Sequence, residues 1–531
     1  MKCAYCGKKN KDGALYCKRC GIGLPAPKPG DPEGGPAPAR PAETAPAENS
    51  AENSAENGEK YDWTVPDDAS SNGKKRRKEL VLIPILAAAA LIIALVIWLA
   101  AASRGEILPP RSGCTDLGSA LAYGGQIVAP EGESIASSSH SVDGRTFAVI
   151  TESGKLYSCV KGEFSLIANY VESCVCSANG KRIIYADENG LLWKSECTEP
   201  ESAPVCICNL PVSPDYVVSP DGESVLYNLS GEKTLRLFSG KKETVVSEGH
   251  SPIAVSNGAR YIFSYSASDN ALYRLDKRGR ATFLRSNLAG EIWLNSTHNE
   301  LVFCTDSGDG KFITMICVNG SDPVTIANTS APLSPVMTVR GMISKADVSG
   351  TEVVTCPYKS FEGRFFAGAG LARYSRNGSE LIEPNDCAYA AAADNYSAVF
   401  YITNGSLQRI SSKSGAEPEK LCEAESFLMS SNGAKIWYVS PGGELVYRSG
   451  SAERVVAPGV DLYSVNPSNG AVIFTYSGGL YRNSEGRANR TFAFDGAGAL
   501  LTSADSRGLY ALTGEGWQAF TSGGSRTDLT K

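Results

Sequence analysis

With 531 residues the chain has room for several domains, and its net charge of −6 provides no global basic field that would point to nucleic acid. The composition is uneven, which excludes a single uniform domain. A basic, Cys-rich head gives way to an acidic stretch poor in large apolar groups. A wholly apolar run follows, and then a long remainder rich in Gly, Ser, Tyr and Val.

The head, residues 1–24, carries Cys3, Cys6, Cys17 and Cys20 in the pattern C-x2-C-x10-C-x2-C. Each CxxC turn places two sulfurs on one small knuckle. Two facing knuckles make a tetrahedral thiolate cage, which suits Zn²⁺. Gly7 and Gly21 follow the two pairs, where a tight turn needs a residue without Cβ. A segment this short cannot bury enough surface to fold alone, so metal binding supplies its folding energy. The alternatives are two disulfides or redox-active CxxC pairs, and disulfides require an oxidising compartment. The head resembles the short zinc ribbons at the N-termini of many bacterial membrane proteins, including Tyr16 before the second knuckle. With all four positions taken by sulfur, the expected Zn²⁺ is structural. Lys2, Lys8, Lys9, Lys11, Lys18 and Arg19 face one acid, Asp12. They read better as compensation for the negative thiolate cage than as a nucleic-acid or headgroup patch.

Residues 25–79 form the linker. Eight prolines fall between 25 and 46, and the direct repeat AENS-AENS-AEN covers 47–57. Such a stretch cannot offset its ordering entropy and is expected to be disordered. It ends in Lys74, Lys75, Arg76, Arg77 and Lys78. Residues 80–102 are 23 uncharged residues, long enough to cross a bilayer once as a helix. Basic residues crowd the N-terminal flank, whereas Arg104 is the one base just beyond the run. The positive-inside rule therefore predicts a cytoplasmic N-terminus and an extracytoplasmic C-terminus. A reduced cytoplasmic ribbon keeps its thiols free for zinc. A cleaved signal peptide fits poorly, since its apolar core is shorter and lies near the chain start.

Residues 112–531 read as an all-β repeat array. A turn opens each copy: Val142-Asp143-Gly144, Ala178-Asn179-Gly180, Pro220-Asp221-Gly222, Ser256-Asn257-Gly258, Ser431-Asn432-Gly433 and Ser468-Asn469-Gly470. A β-rich strand follows, then a strand carrying Leu and usually an aromatic, such as Leu156-Tyr157, Leu192-Trp193, Leu237-Phe238 and Leu272-Tyr273. Degenerate copies sit near Asn299, Ser349, Asn395 and Asp505. Nine intervals separate Leu156 from Leu509, a period of about 39. A period near 40 with several strands per copy signals β-propeller blades. The copy after Ser177 supplies KRIIYAD, GLLWKSE, VCICNL and DYVVS as its four strands. These features resemble TolB-like and WD-repeat-like propellers. Ten turns exceed the usual four to eight blades. Either some are spurious, or the array is one unusually large ring, or it is two rings with a seam at 337–390. Segment 114–140 is expected to complete the last blade.

The propeller region holds twelve cysteines. Cys304 and Cys317 end two strands and could form a cross-strand bridge; buried free thiols are the other reading. His140, His250 and His298 fall in turn-like segments, and no G-x-S-x-G elbow or H-x-x-x-H pair occurs. The DSGDG stretch at 306–310 reads better as a hairpin turn than as a calcium loop, and Asp143 and Asp221 as turn residues. No catalytic residue is assigned. The expected function is a membrane-anchored, non-enzymatic binding, scaffold or sensor protein. Its propeller would engage an extracytoplasmic protein, peptide or glycan, and its ribbon a cytoplasmic protein. The alternative is a glycan hydrolase or lyase, which requires paired carboxylates in the channel mouth. The layout of ribbon, linker, span and propeller resembles a Gram-positive bacterial surface protein.

Overall fold

Strand sequences of this chain fall into two kinds, and burial explains both. Thr146–Thr151 (TFAVIT), Ser224–Asn228 (SVLYN) and Ala398–Thr403 (AVFYIT) are buried along their whole length. Each is the second strand of its sheet and is covered on both faces by neighbouring sheets, so it shows no polar alternation. The fourth strands, such as Lys242–Glu248 and Ala452–Ala457, are mostly exposed and carry charge. Charge on an outer edge discourages pairing with other chains.

In this computed structural model, residues 114–527 are described, except positions 125, 200–201, 342, 349, 388, 488, 496, 503–508, 515 and 521–525. The candidate zinc ligands Cys3, Cys6, Cys17 and Cys20, the linker and the apolar run 80–102 lie outside the described residues. Among the described residues no helix is long and apolar enough to cross a membrane.

The described strands form eleven sheets, joined as an eleven-bladed β-propeller. We number the blades in chain order. Blade 1 (115–128) has three strands. Blades 2 to 11 span 135–168, 171–208, 217–248, 251–286, 288–329, 333–383, 389–423, 426–457, 462–495 and 499–527. Each is a four-stranded antiparallel meander, and blade 6 gains two further strands. Apolar clusters join each blade to the next: Leu121 with Phe147 and Val149, Ile150 with Ile183, and Ile184 with Val225. Further round, Leu226 packs in one cluster with Phe263 and Phe303, Val302 with Phe366 and Val399, and Phe400 with Ile436. Trp437 then joins Phe474, and Ile473 joins Leu509. Tyr510 and Ala519 of blade 11 pack with Leu117 and Ala122 of blade 1. The array therefore closes as one large ring, without a second ring.

Four details depart from the sequence reading. DYVVS does not belong to the blade it follows: Val217–Val218 is the first strand of blade 4. The repeat and the sheet differ in phase by one strand, because the Asx-Gly turn connects first and second strands. Segment 115–128 is a blade in its own right, and Ile135–His140 opens blade 2 instead of completing blade 11. The turn near Ser349 belongs to a hairpin inside the ring, while blade 7 turns at Ser360-Phe361-Glu362-Gly363. In blade 4 the repeat leucine is Leu235, two residues before the Leu237-Phe238 of the sequence reading.

The Leu-aromatic signature has a structural cause. In blades 2 to 10 the third strand pairs with the fourth through a register shift near its start, as at Leu156/Tyr157, Leu192/Trp193, Leu272/Tyr273 and Leu445/Val446. The leucine is fully buried in each of these four. The bulge adds local right-handed twist to the outer strand.

Candidate functional site

The repeated turns fasten blades together. Ser141 Oγ donates to Asp143 Oδ1 at 2.7 Å and accepts from the Thr146 N–H at 3.1 Å. Ser177, Asn179 and Arg182 repeat this in blade 3 at 2.9 Å for each bond. The turn then reaches forward: Val142 N donates to Ala178 O, Asn179 N to Pro220 O, and Ser431 N to Pro467 O. The glycine is needed twice over. Gly433 has φ +68°, and a Cβ there would lie 2.7 Å from the buried Phe400 ring. Asp143 and Asp221 act as turn acceptors, as the sequence reading expects. At 306–310 Gly308 N donates to Asp306 and Lys311 N to Asp309, closing a hairpin between Glu300–Asp306 and Phe312–Val318.

First strands of blades 2 to 6 and of blades 8 to 11 and 1 line the channel space, and the described residues of 336–356, from blade 7, enter it. They leave the blade between its first strand, Leu333–Pro335, and its second, Phe365–Gly368. Residues 337–341 run beside blade 8: Ala392 N donates to Met337 O at 2.9 Å, and Val339 N to Ala392 O at 3.1 Å. Arg340 pairs with Asp394 through both its backbone N–H and its guanidinium. The hairpin Ser344–Val348 and Thr351–Thr355 then adds to blade 6. Its second strand pairs in parallel with Leu288–Leu294, matching Ile292 to Val353 and Leu294 to Thr355.

Buried polar contacts hold the base of this insert. His298, at φ +53°, lies between Val255 O and Thr355 Oγ1, each 3.2 Å from a ring nitrogen. Burial pushes its pKa down to about 4, partly opposed by the Val255 carbonyl and by Asp221, so the ring is neutral at pH 7. Tyr358 OH donates to Val336 O at 2.6 Å. The Arg364 guanidinium lies 4.7 Å from the Tyr358 ring centroid and 4.3 Å from that of Tyr396. Glu300 accepts from Ser360 Oγ and Phe361 N, and burial raises its carboxyl pKa. His140 and His250 are likewise structural: His140 contacts Ser141 O, and His250 contacts Ser264 Oγ and packs 4.8 Å from Tyr273.

The insert leaves unequal spaces on its two sides. Toward blades 2 to 6, Val348 and Val353 pack in one cluster with Ile253, Ile292 and Leu294. The remaining cavity there is about 70 Å³. Toward blades 8 to 11 and blade 1 a cavity of about 420 Å³ stays open. Met337, Thr338, Phe427, Leu428 and Met429 are on its wall, together with Asp116. Asp116 accepts from Gly118 N at 2.7 Å and from Ser138 Oγ. Thr338 is 4% exposed, and its Oγ1 has no hydrogen-bond partner.

None of the twelve propeller cysteines is paired in a disulfide, and nine of them are buried. A Cys304–Cys317 bridge is not formed: Cys304 lies opposite Thr314, and Cys317 opposite Leu301. Cys304 Sγ instead lies 3.0 Å from Thr314 Oγ1. Burial raises the pKa of Cys174 and Cys317 to about 12.

No family model and no curated protein matches the chain. Solved structures similar to it include a TolB from Agrobacterium tumefaciens, at 16% identity over 38% of this chain and 84% of that one, with a TM-score of 0.28. A eukaryotic initiation factor matches at 9% identity over 70% of this chain and 93% of that one, with a TM-score of 0.37. A GH74 enzyme from Niastella koreensis matches at 13% identity over 75% and 78%, with a TM-score of 0.27. Likeness at this level carries no argument about function, and the fold rests on the strand pairing above. Sequence reasoning missed Thr338, Arg340 and Asp394. For Thr338 and Arg340 the one signal was the irregular stretch at 337–390, which reflects the insert; Asp394 lies beside the degenerate turn near Asn395.

Proposed function

We propose that the chain is a single-pass membrane protein that binds a ligand without transforming it, as a scaffold or sensor. In this reading Cys3, Cys6, Cys17 and Cys20 hold a structural Zn²⁺ in a cytoplasmic ribbon, and residues 80–102 span the membrane. The propeller then stands outside the cytoplasm, and the ribbon offers a surface to a cytoplasmic protein. The observation that supports binding is the unequal channel: one side is filled by the chain's own hairpin, and the other keeps a cavity of about 420 Å³ with mixed walls. Ligand sites are commonly concave, largely apolar and marked by a few placed polar groups. The layout half of the proposal is supported by the four-cysteine spacing and by the basic flank of the apolar run.

The test uses the full-length chain. Zinc is quantified in the purified protein and in Cys17→Ser, and intact cells are treated with protease. One zinc per chain, lost in the variant, with cleavage confined to the propeller side, is the expected result. A metal-free chain or an accessible N-terminus overturns the layout. Turnover of a glycan that is abolished by Asp116→Asn would replace binding with hydrolysis.

A further inference from the structure

The blade that closes the ring is also the smallest. Its described strands number three, of two, three and three residues, whereas every other blade has at least four. Few ladder hydrogen bonds hold blade 1 to itself, so its contacts with blades 11 and 2 carry most of its attachment. Toward blade 11 the contact is apolar, with Leu117 and Ala122 against Tyr510 and Ala519.

Toward blade 2 the contact contains a pair of thiols. Cys114 lies immediately before the first strand of blade 1, and its N–H donates to Gly144 O of the blade 2 turn at 2.8 Å. Cys159 is on the third strand of blade 2, opposite Phe147. Both cysteines are fully buried in one cluster with Leu121, Phe147 and Val149. Their thiols meet there in a hydrogen bond. Beside them a Cβ at Gly162 would lie 2.6 Å from the Tyr123 ring, so the two blades are in tight contact on this side. The hydrogen bond with Cys114, and burial after it, push the Cys159 thiol up and keep it unreactive while the blade is closed. Cys176 and Cys197 also meet, but both belong to blade 3, so a bond between them would join no two blades.

We propose that Cys114 and Cys159 form a redox clasp: a disulfide-bearing oxidant joins their sulfurs and locks the closing blade to blade 2, and reduction releases it. When blade 1 opens, one thiol loses its proton and attacks the oxidant's disulfide. That S–S bond breaks, a mixed disulfide forms, and one thiolate leaves. The second thiol, deprotonated in turn, attacks the protein sulfur of the mixed disulfide, forms the Cys114–Cys159 bond and expels the second thiolate. Two protons and two electrons pass from the pair to the oxidant, which ends as two thiols. The bond then removes the conformations open to a detached blade.

The test uses full-length protein, reduced, freed of reductant and titrated with oxidised glutathione. Remaining thiols are alkylated in denaturant, and tryptic peptides are mapped by mass. Residues 112–145 and 156–161 are separate tryptic peptides with one cysteine each. A linked species of these two, cleaved by dithiothreitol, is expected. Hydrogen exchange at the Leu121 and Ala122 amides should slow about tenfold or more on oxidation, and should not respond in Cys159→Ala. Alkylation or separate glutathionylation of the two cysteines, without the link, overturns the proposal. So does a link that leaves exchange at Leu121 and Ala122 unchanged. The chemistry does not depend on which side of a membrane the ring stands, so either failure leaves the binding reading as it was.

Discussion

Lowering the pH should loosen the insert through His298. The folded ring takes up a proton only below about pH 4, because burial disfavours its charged form. The unfolded ring takes one up below about pH 6.5. Between those values the unfolded state binds the extra proton, so stability falls as pH drops. The contribution of neutral His298 is fully present above about pH 6.5 and is lost progressively toward pH 4. A shift of about 2.5 units at 1.36 kcal/mol per unit amounts to about 3 kcal/mol. His298→Asn is the comparison, because Asn tolerates the positive φ of this position and does not titrate. Hydrogen exchange at the Val353 and Val354 amides, followed from pH 7 to 4.5 in both proteins, reads the opening of the hairpin. The two opening free energies should converge as pH falls, by about 2 kcal/mol at pH 5. Groups common to both proteins that do not interact with His298, such as Glu300, cancel in the difference. Parallel pH profiles would refute the assignment of a neutral, buried His298.

Other substitutions probe the ring and its thiols. Trp437→Phe removes the bond from Nε1 to Gly470 O, 2.7 Å long, and leaves that buried carbonyl without the donor. A loss of about 1–3 kcal/mol is expected in urea unfolding. Gly433→Ala meets both a left-handed backbone and the Phe400 ring, and should lower stability by about 1–3 kcal/mol. Maleimide at pH 7.5 should label Cys206 first among the twelve propeller cysteines, since it is the exposed one. Buried thiols such as Cys317 and Cys356 should react only on unfolding, a contrast that mass spectrometry of timed digests resolves.

What the sequence determined by itself was local and periodic. The Ser-x-Asx-Gly turns require positive φ at glycine and an acceptor two residues after serine, so they are legible wherever they occur. The doubly buried second strands and the leucine at most bulges repeat about every 39 residues, because each blade meets the same neighbours. That was enough to identify a propeller. Blade number was not legible, because closure is a contact between the two ends of the repeat array: Tyr510 and Ala519 reach Leu117 and Ala122. Neither end carries a repeat motif that announces its partner. Blade 7 was hidden for a different reason. Its turn motif, Ser360-Phe361-Glu362-Gly363, is separated from its first strand by the insert, which breaks the period. Only the folded ring shows that this interruption lies inside the channel, held there by His298, Tyr358 and Arg364. The unpartnered hydroxyl of Thr338 is likewise a tertiary fact, since burial and hydrogen bonding depend on residues far away in sequence.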